Sequence, residues 1–157
     1  MKITLLAVGK TDDNRIADLT DMYVERLKHY INFELEIIPD LKKTKNLSVE
    51  QQKTKEGDLI LNQLQTSDFV TLLDEKGKSL SSQQFAQLIN KRSLSGMKRL
   101  VYIIGGPYGF SEAVYKRANS KLSLSAMTFS HQMVRLFAVE QIYRAFTILK
   151  NEPYHHE

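Results

Sequence analysis

Residues 99–112 read RLVYIIGGPYGFSE and carry the clearest fold signal in the chain. Apolar β-formers run up to the two glycines Gly105 and Gly106, and Ser111 is suited to cap a helix that follows them. A strand, a tight turn and a helix in this order are typical of a parallel α/β sheet. Ligands of such sheets bind beyond the carboxyl ends of the strands, so we expect a ligand where this strand ends.

The same alternation of strand and helix continues outward along the sequence. Apolar and alternating patterns predict strands or extended segments at residues 3–9, 33–40, 68–78, 99–106 and 122–130. Helical spacing and serine caps predict helices at residues 16–30, 48–64, 81–92, 112–119 and 131–150. We therefore predict a single α/β domain over residues 1–157, with a mostly parallel sheet flanked by helices.

The composition excludes several classes of function. The chain has 157 residues, 42% hydrophobic and 25% charged, which is ordinary for a globular protein. It has no cysteine, and its four histidines lack zinc-motif spacing, so we expect no metal and no disulfide. No apolar run is long enough to span a bilayer, and we expect a cytoplasmic protein without a membrane partner. The net charge of +4 permits a nucleic-acid partner without requiring one.

The helix predicted over residues 131–150 is apolar around most of its circumference. Such a helix is buried on more than one side. The second side is covered either by another subunit or by the rest of a monomer, and in so small a domain we favour a homodimer.

The glycine loop does not match the known phosphate loops. Neither GxGxxG nor GxxxxGK[ST] is present, and the nearby Lys116 lies inside the next helix. One interpretation is a plain tight turn with Pro107 at its first corner. The other is a ligand loop that forms one crevice with the turns after residues 71–78 and within residues 122–129. A crevice of backbone groups and apolar side chains suits a neutral purine with an apolar appendage better than a triphosphate.

Four blocks carry a family resemblance: MKITLLAVGK (1–10), IIGGPYGF (103–110), LSLSAMTFSHQMVRLFAVEQIYRAF (122–146) and EPYHHE (152–157). In this order they resemble the RlmH family of the SPOUT superfamily from end to end. The resemblance implies a C-terminal trefoil knot and methylation of N3 of a pseudouridine in large-subunit (23S) ribosomal RNA, with S-adenosyl-L-methionine as cofactor. It also implies these cofactor contacts: Leu73, Gly105, Leu124, Ser125, Ala126, Met127, Thr128 and Phe129.

Three residues are candidates for the catalytic site. The PYH ending matches the family, which implies that Tyr154 stacks on or bonds the target base and that His155 orients it or accepts its proton. Arg144 stands four residues after Glu140 and is assigned to the substrate pocket, although an ordinary helical ion pair is the simpler interpretation. The tail is either a frayed terminus or a lid that orders only with substrate. The family often has an arginine where this chain has His156, which weakens the case for a phosphate contact there.

Other polar groups remain ambiguous on the sequence alone. His131, Gln132 and Arg135 serve either the partner subunit or RNA, and Lys42, Lys43 and Lys45 form either a phosphate contact or a solvated loop.

Two competing functions also remain, a non-catalytic RNA-binding or ribosome-assembly module on the same fold and an enzyme of another nucleotide. The modest charge favours recognition of RNA by shape, within an assembled ribosomal particle.

Overall fold

The computed structural model describes residues 1–156 and contains one sheet of five parallel strands. The strands are β1 (Lys2–Val8), β2 (Asn32–Ile38), β3 (Phe69–Ser79), β4 (Arg99–Ile104) and β5 (Ser120–Ser123), in the spatial order β2-β1-β4-β3-β5. All four pairings are parallel, which confirms the predicted sheet type. The carboxyl ends of β1, β4 and β3 therefore lie side by side in the middle of one edge.

Helices cover both faces of this sheet, as the alternating pattern predicts. They are α1 (Asn14–Leu27), α2 (Val49–Asn62), α3 (Ser82–Leu94), α4 (Glu112–Arg117) and α5 (Met133–Leu149), with a 3-10 turn at Thr44–Asn46. Successive strand residues point to opposite faces. Leu100 and Tyr102 of β4 pack with α1, α3 and α5, whereas Val101 and Ile103 pack with α2 and α4.

The predicted serine caps are all present. Ser48 and Ser81 each form a capping box with the residue three positions later, Gln51 and Gln84 respectively. The Ser111 hydroxyl accepts a hydrogen bond from the backbone N–H of Val114 at the start of α4. These local signals fix the starts of three helices, because each cap satisfies a backbone N–H that the helix leaves without a partner.

The extended segment predicted at residues 122–130 is wrong beyond residue 123. The backbone leaves the sheet there because the Ser123 hydroxyl donates to the Ser125 carbonyl and the Ser125 hydroxyl accepts from the Met127 N–H. Short polar side chains that bond nearby backbone groups compete with strand pairing in this way. A loop over residues 124–132 results, and α5 begins at Met133 rather than at residue 131.

The trefoil knot remains a prediction of the family resemblance. Within residues 1–156, no helix combines the length and apolarity needed to cross a bilayer.

Candidate functional site

A pocket of about 600 Å³ lies at the carboxyl edge of the sheet. Its walls come from residues 73–76 of β3, residues 104–110 at the end of β4 and beyond, and residues 123–125 and 127–131 at the end of β5 and beyond. The prediction that these three segments line one crevice is confirmed. The volume falls within the range of about 300–1,000 Å³ that small-molecule sites occupy.

The pocket gathers nearly all of the predicted cofactor residues. Its lining includes Leu73, Gly105, Leu124, Ser125, Met127, Thr128 and Phe129. Ala126 is the exception, since it is exposed and is absent from the described lining. The structure therefore brings these residues together, and their contact with a cofactor stays a prediction.

The glycine segment is both a tight turn and a pocket wall. The Gly109 N–H donates to the Gly106 carbonyl at 3.1 Å, which leaves Pro107 at the first corner, as one interpretation expected. Of the three glycines in this segment, Gly109 has a positive φ, 81°, and Gly105 and Gly106 do not.

Close packing explains the first two glycines. A Cβ added at Gly106 would overlap the carboxyl of Glu56, and one at Gly105 would lie 3.1 Å from the Phe110 ring. The turn therefore packs closely against the two side chains behind it.

Glu56 is a buried carboxyl behind this turn that sequence reasoning missed. It lies on α2 and is 5% exposed. Burial raises its pKa above the ordinary glutamate value, and the negative charge of Asp40 adds to the shift while a bond from Gln52 opposes it. No local sequence pattern distinguishes Glu56 from the exposed glutamates of other helices, because its burial depends on the contact with the distant Gly106.

Charged groups border one side of the pocket. The Tyr115 hydroxyl donates to Asp74 at 2.5 Å, and burial together with this bond raises the pKa of Tyr115 to about 12. Asp74, Glu75 and Lys76 all border the pocket. Lys76 therefore places a cationic side chain at a crevice that the sequence predicts from backbone groups and apolar side chains. A single lysine beside two carboxylates still does not form a triphosphate cradle.

Arg135 anchors the loop of residues 124–132, which lines the pocket. Its side chain is buried, with 1% of the residue exposed, and the guanidinium donates to the carbonyls of Gly9 (2.6 Å), Val8 (2.8 Å) and His131 (3.1 Å). Burial lowers its pKa below the usual arginine value. The two roles expected for Arg135, at a subunit seam or on RNA, are wrong because the side chain is enclosed by its own chain.

The structure also shows where the other polar residues named in the sequence analysis lie. Gln132 accepts from the Asp12 N–H at 2.7 Å, which ties the loop to the segment after β1, whereas His131 is exposed at the pocket border. Lys42, Lys43 and Lys45 are exposed in and beside the 3-10 turn, and a role for them on phosphates stays a prediction.

The C-terminal tail forms a polar cluster with α1 and α5, the tail cluster, whose members are Tyr23, Glu140, Arg144, Tyr154 and His155. The Tyr154 hydroxyl donates to Glu140 at 2.8 Å and lies at hydrogen-bond distance, 3.2 Å, from the Tyr23 hydroxyl. Arg144 donates to the same Glu140 oxygen at 2.6 Å and contacts Nδ1 of His155 at 3.2 Å. In this conformation Tyr154 and His155 contact their own chain, and the expectation of a tail that orders only with substrate stays a prediction. The ion pair expected between Glu140 and Arg144 is confirmed.

The contacts of this cluster indicate the tautomer of His155 and the protonation of Tyr154. An arginine only donates, so Nδ1 of His155 accepts in this arrangement and the imidazole proton resides on Nε2. Burial raises the pKa of Tyr154, and its bonds to Tyr23 and Glu140 add to the shift. Tyr154 therefore keeps its proton at neutral pH.

The pocket and the tail cluster are separate within one chain. Val134 borders the pocket at the start of α5, and Arg144 follows ten residues later, about 15 Å along the helix axis. Arg144, Tyr154 and His155 are absent from the described pocket lining. The structure thus assembles the predicted cofactor residues and the predicted catalytic residues as two groups rather than one.

Comparisons with known proteins agree with this architecture. A family model described as "Predicted SPOUT methyltransferase" matches residues 1–155. A protein named ribosomal RNA large subunit methyltransferase H from Christiangramia forsetii is 67% identical over 99% of each chain. Proteins of the same name from Flavobacterium johnsoniae and Parabacteroides distasonis are each 60% identical over 100% of each chain. The solved structure of a probable methylase family protein from Haemophilus influenzae aligns with a TM-score of 0.54 at 11% identity, covering 99% of this chain and 70% of that one, which shows a shared fold.

Proposed function

Because the chain belongs to the SPOUT methyltransferase family, within the group named large-subunit ribosomal RNA methyltransferase H, we propose that it methylates N3 of a pseudouridine in 23S ribosomal RNA. S-adenosyl-L-methionine is the proposed methyl donor. The observation that carries the proposal is that the three loops converge on one pocket. The proposed location is the cytoplasm, where the ribosomal substrate is found.

The pocket chemistry suits this donor. Leu73, Leu124 and Phe129 offer apolar surface to the adenosine ring, and the backbone of the glycine turn offers polar groups to its edges. Asp74 and Glu75 supply negative charge beside a ligand that carries a sulfonium and an ammonium group. The absence of a phosphate from the donor agrees with a rim that holds one lysine.

The bound donor supplies an electrophilic methyl group, so the protein's task is to position the target nitrogen in line and to stabilise its loss of a proton. Negative charge develops on the base as the N3 proton passes to solvent water, because neither Arg144 nor His155 accepts it in this arrangement. Arg144 and the Nε2–H of His155 are donors suited to the carbonyl oxygens beside N3, where that charge spreads. In this arrangement His155 acts as a donor to the base, because its Nδ1 lone pair is directed at Arg144.

A second copy of the chain could supply the tail that each pocket lacks within its own chain. We propose a two-fold homodimer in which the tail cluster of one subunit reaches the pocket of the other. Phe137 supports this: it stacks on Phe129 of the pocket wall with ring centroids 4.7 Å apart, yet 38% of it is exposed. Met127 on the same wall is 78% exposed. Apolar side chains left open beside a site are typical of a subunit interface.

Mixing two inactive variants tests the shared site. Gly105→Val is expected to lose cofactor binding. Deletion of residues 153–157 is expected to abolish catalysis but to leave cofactor binding intact; residue 157 lies outside the described part of the chain. After subunit exchange at equal amounts, about one quarter of wild-type activity should return, because half of the dimers are mixed and each has one intact site. No recovery between two dimeric variants would contradict a shared site.

Calorimetric titration with S-adenosyl-L-methionine tests the enzyme assignment itself. We expect one site per chain in the wild-type protein and in the tail deletion, and none in Gly105→Val. A protein that binds ribosomal RNA but not the cofactor would instead be the non-catalytic module.

A further inference from the structure

A second pocket lies between α3, β3 and β5, away from the proposed catalytic site. Its volume is about 420 Å³, and it shares no described lining residue with the cofactor pocket. Three cationic side chains line it, Lys78, Lys91 and Arg92, while the ammonium of Lys121 lies over the Tyr115 ring on the other face of the sheet, and its described lining contains no aspartate or glutamate. A concave surface with this charge imbalance attracts anions.

Arg92 is the central group of this pocket. It is 7% exposed, and its guanidinium donates to the hydroxyls of Thr71 at 3.3 Å and Ser120 at 3.2 Å. It also lies over the Phe69 ring, 4.1 Å from the centroid. Among residues 1–156, no carboxylate is in ion-pair contact with it. Buried charges in proteins are ordinarily paired, and these two hydrogen bonds are long, so the guanidinium retains donors for an anion.

Tyr102 supplies a second, independent signal. Its side chain lines the same pocket and is 1% exposed, and its hydroxyl finds no hydrogen-bond acceptor among the described residues, since its neighbour Arg92 can only donate. Buried hydroxyls usually find a partner. Burial raises the pKa of Tyr102 to about 12, although the nearby Arg92 opposes the shift, so the hydroxyl is a neutral donor at physiological pH. A donor without an acceptor, beside a cation without an anion, is the complement of an oxyanion.

We propose that the pocket formed by Arg92, Tyr102, Lys78 and Lys91 binds a phosphate group. Arginine with its planar set of donors, surrounded by lysines, matches the oxygens and the charge of phosphate better than those of a single carboxylate. Two sources supply this chemistry: a phosphodiester of the RNA substrate, which rests on the proposed function, or a free phosphate, which does not.

The first experiment uses inorganic phosphate and the free full-length protein, and is independent of methyl transfer. Nuclear magnetic resonance titration should shift the amides of residues 91–92 and 120–122. Tyr102→Phe should weaken phosphate binding about tenfold without loss of thermal stability, because the hydroxyl that it removes donates to no acceptor in the free protein. Lys91→Gln should also weaken binding, whereas the matched control Lys55→Gln, on the exposed side of α2, should not.

Three results would overturn the proposal: no shifts at these amides, unchanged affinity in Tyr102→Phe, or equal weakening by Lys55→Gln. The last two would assign the pocket to packing and to general surface charge, respectively.

A second experiment identifies the source. If the group is an RNA phosphodiester, Lys91→Gln raises KM for the ribosomal substrate, leaves kcat unchanged, and lowers the slope of log affinity against log salt by about one. If it is a free phosphate, Lys91→Gln weakens phosphate binding while KM for RNA stays the same. Phosphate binding combined with no methyl transfer at all would leave this site standing and refute the proposed function.

Discussion

Replacing Arg135 by methionine should destabilise the protein substantially. The guanidinium satisfies three backbone carbonyls, those of Val8, Gly9 and His131, and all three lose this donor in the variant. A buried acceptor without a partner costs about 1–3 kcal/mol, and removal of a desolvated charge offsets part of the sum. We expect a net loss of about 2–4 kcal/mol in the free energy of unfolding. Methionine keeps most of the side-chain length, so the effect isolates the hydrogen bonds.

Thermal unfolding at fixed protein concentration measures this loss. For a chain of this size, each kcal/mol lowers Tm by about 2–4 °C, so Arg135→Met should unfold about 4–16 °C below the wild type. The matched control is Arg26→Met, which removes an exposed arginine from α1 and should leave Tm nearly unchanged. If both variants unfold at the same temperature, Arg135 does not anchor the loop in the way described.

Three further perturbations test other parts of the structure. Gly106→Val should destabilise the fold, because its Cβ overlaps Glu56, whereas Gly105→Val should keep the fold and lose the cofactor; equal thermal stability of the two variants would contradict this distinction. Because burial raises the pKa of Glu56, the free energy of unfolding should fall as pH rises from the ordinary glutamate pKa through the raised one. Glu56→Gln should therefore be more stable than the wild type at pH 7. A lower free energy of unfolding for Glu56→Gln in urea at pH 7 would contradict this. Phe137→Glu should give monomers without activity in light scattering and methylation assays, and a fully dimeric variant would remove Phe137 from the seam.

Local signals in the sequence account for the sheet and the helix starts. Apolar runs and serine caps act within a few residues, so they predict β4, α3 and α4 without knowledge of the fold. The convergence of the three loops also follows from the sequence, because parallel strands that alternate with helices place their carboxyl ends at one edge.

Contacts between distant residues lie beyond such reasoning. Arg135 bonds the carbonyl of Gly9, 126 positions away, and Tyr154 bonds Tyr23, 131 positions away. The sequence predicts for Arg135 only a contact with the partner subunit or with RNA. Its burial, like that of Glu56 behind Gly106, is decided by which elements meet in three dimensions.

Methyl transfer from labelled S-adenosyl-L-methionine tests the central claim most directly. The protein is incubated with assembled ribosomes, with separated subunits and with deproteinised RNA, and the modified nucleosides are identified by mass spectrometry. The account predicts label at N3 of a pseudouridine in large-subunit RNA, with a higher rate on assembled particles than on deproteinised RNA. No label in any RNA would contradict the proposed function, and equal rates on all substrates would contradict recognition by the shape of the particle.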